Sequence, residues 1–492
     1  MKYEAVIGLE VHAQLLTRSK MFCSCSAEYQ DAPPNTHVCP VCLGMPGVLP
    51  VINHQAINAT VMTGLALHCS INPRSKFDRK NYPYPDLMKG YQISQYDQPI
   101  CVNGWLAIEA EGGTKRAGIT RVHLEEDTAK LSHRASEGET YSLVDVNRAG
   151  TPLMEIVGEP DLRTPEEARQ YLVKLRRTLQ YLGVSTGNME EGSFRCDANV
   201  SLRPVGSAQF GTRAEVKNMN SFRSVFRALE FEIERQAHLL DSGQRIVQET
   251  RGWVETRSET VSQRSKEQAH DYRYFPEPDL PPLTFSVDFI EAVRAHLPEL
   301  PDARKERFIA HFGLTAYEAE LLTSTRAMAE FFEAVATAAL AKTSGIGQAD
   351  LWQRAKAVSH WCTGELNRLL NLHDLEVEQL RVTPQALVEL LDLIDGGKIN
   401  QTSAKEVFEE MFRTGRHPGE IVQERGLIQI NSSDELEGLV ARILAGNGQA
   451  VADYHAGKAP ALGFLVGQIM KESRGRANPG TVTTLLKTRL DS

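Results

Sequence analysis

The stretch Arg195-Cys-Asp-Ala-Asn-Val-Ser-Leu-Arg203 alternates strictly. Arg195, Asp197, Asn199, Ser201 and Arg203 fall on one side of an extended chain; Cys196, Ala198, Val200 and Leu202 fall on the other. Successive side chains of a strand point to opposite faces, so this segment predicts a strand with one apolar and one polar face. Tyr3 to Val11 divides in the same way, setting Tyr3, Ala5, Ile7, Leu9 and Val11 against Glu4, Glu10 and the following His12. Thr212 to Lys217 sets Arg213, Glu215 and Lys217 opposite Ala214 and Val216. His123, Glu125 and Asp127 alternate with Leu124 and Glu126, and Glu155 sits inside Leu153-Met-Glu-Ile-Val157. Short alternating segments among turns predict an antiparallel sheet.

Helices interrupt this pattern twice. Thr164-Pro-Glu-Glu167 supplies an N-cap, a proline at the first helical position and a glutamate three residues after the cap. Leu172, Leu175, Leu179 and Leu182 follow at helical spacing, and Gly183 ends the run. Phe222, Phe226, Leu229, Ile233 and Leu240 predict a second core-facing helix. Beyond Phe275-Pro-Glu-Pro-Asp-Leu-Pro-Pro282, a stiff extended connector, the chain changes character. Nineteen of the 23 prolines lie in residues 1–301, and the remainder reads as amphipathic helix, as in Met328, Phe331, Val335 and Ala339. The fold class is therefore α+β, with domains expected at 1–294, 295–414 and 415–492. The last boundary is placed where Thr-Gly-Arg-His-Pro interrupts the helical spacing before Pro418.

The chain has 492 residues, enough for two to four domains at roughly 150 residues each. Its net charge of −9 excludes a generally basic nucleic-acid coat. A local exception is the segment from His455 to Ser492, where six Lys/Arg face Glu472 and Asp491, a balance of +4. Lys471, Arg474 and Arg476 are its candidate phosphate contacts, although a solvated helix face would carry the same charges. No run of 18 apolar residues predicts a membrane span, the first nine residues lack a leader's apolar core, and eight cysteines are too few for a disulfide scaffold. The expectation is a cytoplasmic protein.

The polar strand faces carry the chemistry. Side chains two apart on a strand stand roughly 6.5–7 Å from each other, so Glu10 and His12 can converge on one ion. A solvated sheet face would also alternate. Here, however, carboxylates, Asn and Arg recur on five segments beside Gly/Asn-rich turns. Carboxylates with a histidine suit Mg²⁺, and interleaved Arg and Lys suit phosphates. No glycine-rich phosphate loop of either common type is present, so a nucleotide site would be of this open-sheet kind. Cys23-Ser-Cys25 and Cys39-Pro-Val-Cys42 form two knuckles suited to a closed tetrathiolate Zn²⁺ site. A redox C-x-x-C would normally open a helix, whereas Pro40 and Gly44 favour a turn. Cys69, Cys101, Cys196 and Cys362 read as small buried hydrophobes.

Several longer stretches resemble one family. They are Val6-Ile-Gly-Leu-Glu-Val-His-Ala-Gln14, Tyr82-Pro-Tyr-Pro-Asp-Leu-Met-Lys-Gly-Tyr-Gln-Ile-Ser-Gln95, His123-Leu-Glu-Glu-Asp127, Asp145-Val-Asn-Arg-Ala-Gly-Thr-Pro-Leu-Met-Glu-Ile156, Asp271-Tyr-Arg-Tyr-Phe-Pro-Glu-Pro-Asp279 and Gly463-Phe-Leu-Val-Gly-Gln-Ile-Met-Lys471. They resemble the B subunits of aspartyl/glutamyl-tRNA(Asn/Gln) amidotransferases, with Met88 and Thr128-Ala129 as visible departures. The resemblance implies a cradle domain related to the glutamine synthetase/guanido kinase fold, a helical domain and a small tail domain. It implies that ATP phosphorylates the side-chain carboxylate of misacylated Glu-tRNA(Gln) or Asp-tRNA(Asn), and that ammonia then displaces phosphate. Mg²⁺ on Glu10, His12, Glu125, Glu155 and Asp197, with Lys89, Arg195 and Lys217 assisting, would serve that step. Ammonia would come from a partner, the amidase A subunit, with a small C subunit bracing the pair. No amidase signature of its own is apparent. A zinc-containing tRNA-binding scaffold without a catalytic site is the rival expectation; it leaves the acidic strand faces unexplained.

Overall fold

The computed structural model describes residues 2–136, 139–265, 271–341, 348–429, 433–458, 460–473 and 476–491. Two compact units divide at Pro301/Asp302.

The first unit is built on a nine-stranded sheet. In chain order its strands are β1 (Tyr3–Gln14), β2 (Ser70–Ile71), β3 (Cys101–Ala110), β4 (Gly113–Glu126), β5 (Pro152–Gly158), β6 (Phe194–Pro204), β7 (Ala214–Met219), β8 (Glu249–Val254) and β9 (Glu259–Ser265). The spatial order is β9-β8-β7-β6-β1-β5-β4-β3-β2. Every pairing is antiparallel except β7 with β8. That parallel pair needs a crossover, supplied by helix α3 (Phe222–Asp241).

Four helices accompany the sheet: α1 (His54–Ala66), α2 (Pro165–Tyr181), α3 and α4 (Val287–Ala295). The Thr164 hydroxyl accepts from the Glu167 amide at 3.1 Å, so the cap expected for α2 forms. Leu172, Leu175 and Leu179 are fully buried in one core with Ile7, Leu9 and Val11 of β1 and Ala198 and Val200 of β6. Each leucine buried this way contributes about 1.5–3 kcal/mol. The stripe expected on α3 is shifted. Val225, Ala228 and Leu229 are buried, whereas Phe226 stays half-buried. The reason is polar: fully buried Glu232 also faces inward, satisfied by Arg235, Arg251 and Thr260.

Opposite the helices, a small three-stranded sheet of Phe275–Pro276, Asp78–Asn81 and Tyr91–Ser94 lies near the polar face. The proline-rich connector thus doubles back as an edge strand, a position that tolerates proline's missing N–H. Its Glu277, 3% exposed, receives a two-pronged bond from Arg79 at 2.6 and 2.7 Å.

The second unit is helical and holds two apolar cores. One gathers residues from Phe308 to Val422, and the other residues from Leu436 to Leu490. Beyond residue 415, where the sequence placed the start of the tail, Ile421 and Val422 of the helix Pro418–Glu424 still pack in the first of these cores. Gly415, at φ +75°, caps a helix without ending the domain. The final core is self-contained; Leu465 and Ile469 pack within it, whereas Phe464 is 49% exposed. Among the described residues no helix is long and apolar enough to cross a membrane.

Candidate active site and metal centre

Register brings distant residues into one line across the polar face of the sheet. His12 on β1 lies opposite Arg195 on β6 and Glu155 on β5, and Glu155 lies opposite His123 on β4. Glu10 pairs with Asp197 in the next row. Glu125, two residues beyond His123, shares its face.

The side chains converge on His12. Its Nε2 stands 3.8 Å from Glu10 Oε1, 3.8 Å from Glu125 Oε1 and 3.6 Å from Glu155 Oε2. His123 Nε2 reaches Glu155 Oε2 at 3.1 Å. Ligand-capable atoms of Glu10, His12 and Glu155 lie within 4.8 Å of one another, as do those of His123, Glu125 and Glu155. Burial alone would lower the His12 pKa. The bond to Glu155 and the charges of Glu155, Glu125 and Glu10 outweigh it and raise the pKa to about 9. Burial and the neighbouring Glu155 raise Glu10. Burial opposes ionisation of Glu155, yet His123 and His12 hold it well below the usual carboxylate range. Three crowded carboxylates beside two imidazoles form a donor set that an oxygen-seeking divalent cation fits.

The other expected residues separate. Asp197 is engaged by Lys217 at 2.5 Å, and Lys217 also stands 3.5 Å from Glu215. Arg195 donates to Asp127 at 3.1 Å, and Asp127 is further bound by Gln14 at 2.7 Å. Burial would raise Asp127, but Arg195 and Arg148 hold it below its ordinary value. Lys89 stands apart. It pairs with Glu126, which leaves β4 on the face opposite Glu125, and it lines a pocket with Cys23 and Cys42. Two further cations act on the cluster: Arg121, whose Nη2 stands 3.8 Å from Glu155 Oε1, and Lys80. Burial would lower the Lys80 pKa, and the charges of Glu125 and Glu155 raise it. Its amine lies 5.0 Å from the Tyr272 ring centroid. Ser94 Oγ donates to Glu125 Oε2 at 3.1 Å. The sequence reading missed His123 and Lys80, and also Arg121 beside Glu155. His123 sat in an alternating segment already identified; Lys80 lies in the unpatterned run Asp78-Arg-Lys-Asn81.

A cavity of about 310 Å³ adjoins Glu10, lined by Gly8, Gly158, Asn199, Phe210 and Arg213 among others. Of the basic tail residues, Lys471 is exposed on the helix Pro460–Glu472, and Arg476 donates to the Ser473 carbonyl at 3.2 Å. Arg474 lies outside the described residues.

The four knuckle cysteines do come together: the sulfurs of Cys23, Cys25, Cys39 and Cys42 lie within 4.8 Å of one another. Cys39 and Cys42 flank a turn closed by Gly44 at φ +66°. The bond from the Cys23 thiol lowers Cys42 to about 4 against the opposing effect of burial; the Cys39 N–H, at 3.1 Å, and the Lys20 charge add to the lowering. Burial raises Cys25 to about 11. Four sulfurs at this separation fit a tetrahedral metal with no open position, and Zn²⁺ suits them. Cys69, Cys101, Cys196 and Cys362 are buried elsewhere, as expected of small hydrophobes.

His12 gives the metal-free protein a pH signature. Its folded pKa of about 9 exceeds the ordinary 6.5, so its stabilising contribution is full below pH 6.5 and is lost as pH rises through 9. Chelator-treated protein should lose about 3 kcal/mol of urea stability between pH 6.5 and 9.5. His12→Gln should remove most of that slope; an unchanged slope in the variant would contradict the assignment.

Residues 5–291 match the GatB/GatE catalytic domain family, and residues 348–490 match the GatB domain family. The chain is 57% identical, over 100% of its length and 99% of the relative's, to the B subunit of the aspartyl/glutamyl-tRNA(Asn/Gln) amidotransferase from Dehalococcoides mccartyi strain CBDB1. It is 56% identical to that of Thermomicrobium roseum, over 100% of this chain and 99% of the relative. Identity to that of Carboxydothermus hydrogenoformans is 54%, over 99% of each chain. Sheet, site and helical tail all lie inside these matches, and the chain belongs to the family of aspartyl/glutamyl-tRNA(Asn/Gln) amidotransferase B subunits.

Proposed function

We propose that this chain is the activating subunit of a tRNA-dependent transamidation. Its substrate would be a tRNA misacylated with glutamate or aspartate, and its product the corresponding amide. The observation that carries the reading is the convergence of Glu10, Glu125 and Glu155 on His12 beside an open cavity. A free carboxylate is a poor acyl donor because its leaving group would be oxide. Phosphorylation by ATP forms an acyl–O–P linkage and releases ADP. Ammonia then attacks the acyl carbon, the acyl–oxygen bond breaks, phosphate leaves and the nitrogen loses a proton. Such a transfer depends on positioning and charge neutralisation rather than on a protein nucleophile.

The chain's own groups serve those needs. The nucleoside of ATP would occupy the cavity beside Glu10, with Phe210 as an apolar wall and Arg213 toward the phosphates. Lys80, facing Glu125 and Glu155, would neutralise the reacting carboxylate. Lys217 and Arg195 are already engaged by Asp197 and Asp127, which makes them positioned charges rather than free ones. Mg²⁺ on Glu10, His12, Glu125 and Glu155 would offset the negative charge of the transferring phosphoryl group. Zn²⁺ on the four cysteines would be structural. Two partners, the amidase A subunit and the small C subunit, would supply ammonia and bracing, and the assembly would work in the cytoplasm.

The test uses ammonium chloride as nitrogen donor. The chain in its complex should form ADP and amide together, and only with misacylated tRNA. Tight tRNA binding with no ATP turnover would replace this reading with the scaffold.

The tail should contribute to tRNA affinity. A chain ended at Gln429 keeps the first helical core, because the Gln429 amide still donates to the Lys398 carbonyl at 2.7 Å. It should bind tRNA about tenfold more weakly near 0.1 M salt, with a shallower salt dependence, since phosphate contacts release counterions. Glutaminase activity of the complex should persist. Unchanged affinity and salt slope would make the tail a stabilising cap.

A further inference from the structure

Lys20 is completely buried, at 0% exposure, three residues before the first knuckle cysteine. Its amine donates to the carbonyl oxygens of His37 at 2.8 Å and Val146 at 3.3 Å. Among the described residues it makes no ion pair with a carboxylate. A buried ammonium with only carbonyl partners is costly, because carbonyl dipoles do not cancel its charge. What stands beside it is the knuckle. The Lys20 amide donates to the Cys25 carbonyl at 2.9 Å. A Cβ built on Gly150 would lie 3.4 Å from Lys20 Cδ and 3.8 Å from Cys42 Cβ, so both side chains pack over the same piece of backbone.

Four thiolates around a divalent cation carry two net negative charges, which is the compensation the lysine lacks. We propose that Lys20 is the built-in counter-cation of the tetrathiolate centre. It offsets one of the centre's two net charges and ties the centre to the turn at Val146 to Gly150, from which β5 starts. The inference rests on the structural-zinc reading of the four cysteines. It makes the loaded centre, rather than four neutral thiols, the state for which this interior is built.

The test measures zinc affinity of the full chain by competition with a chromogenic chelator. If the wild-type chain binds no zinc, the zinc reading itself fails, whatever Lys20 does. If it binds zinc, Lys20→Met should weaken affinity about ten- to a hundredfold, the range for groups that support metal ligands. Cys25→His, or equally Cys39→His, replaces a thiolate with a neutral imidazole and leaves one net negative charge. Coulomb coupling scales with that charge, so in this background the Lys20→Met penalty should shrink to about its square root. Equal penalties in both backgrounds would overturn the proposal, because a packing role ignores the centre's charge. Should Lys20→Met fold only in the histidine background, the charge role is supported. If both Lys20→Met and Lys20→Gln fail to fold in either background, it is refuted.

Discussion

Glu125→Gln should lower ATP- and tRNA-dependent amide formation by about a thousandfold, while glutaminase activity of the assembled complex stays measurable. The substitution keeps shape and removes one charge. Glu125 is 3% exposed, accepts from Ser94 and stands 3.8 Å from the His12 nitrogen, so its charge acts in a poorly solvated site. Removing one preorganised electrostatic group from such a site costs on the order of 10²–10³ in rate. Loss of a divalent-cation ligand adds to that. His12→Ala should have the same direction of effect. Ammonium chloride as nitrogen donor separates this defect from failed ammonia delivery. An equal fall of glutaminase and amide formation in a correctly folded complex would show that the chemistry is not divided between chains.

Cys42→Ser should damage the fold more than the chemistry. Cys42 is the buried member of the knuckle and the sulfur toward which the Cys39 N–H points. A serine hydroxyl is a poor substitute for a thiolate, and a structural zinc contributes binding energy directly to folding. The expected result is sub-stoichiometric zinc by elemental analysis of the purified variant. A fall of about 10 °C or more in melting temperature should accompany it, since each kcal/mol is worth about 2–4 °C in a unit of this size. The fraction that remains folded should retain its turnover. Wild-type protein with full activity and a zinc content near zero would remove the basis for this expectation.

The central strands were legible because their burial is one-sided. Tyr3–Gln14 and Phe194–Pro204 carry an apolar face long enough for period two to stand out, and that period also aligned Glu10, His12 and Asp197. The four cysteines were legible because ligand spacing is local in the chain. Lys80 was not, because Asp78–Asn81 is four residues long and three of them are charged, so no alternation marks it. Arg79 with Glu277 was hidden for a different reason: its partners lie 198 residues apart, and nothing in either segment names the other. Lys89 shows the reverse relation between motif and place. Its motif position placed it in the site, whereas Glu126 holds it on the other face. The turn at Gly415 looked like a domain break because glycine and proline end helices equally well inside a core.

The position of β1 in the middle of the sheet has a consequence during synthesis. β1 is synthesised before both of its partners, Pro152–Gly158 on one side and Phe194–Pro204 on the other. The edge toward Pro152–Gly158 therefore stays unsatisfied until residue 158 has emerged, and the other edge until residue 204. At about 5–20 residues per second, the wait is on the order of ten to forty seconds. Throughout it the nascent chain displays Ile7, Leu9 and Val11, which become the floor of the core, beside at least one open strand edge. The same centrality that gathers Glu10 and His12 with groups 113 to 187 residues away makes the nascent β1 a natural client for a ribosome-associated chaperone.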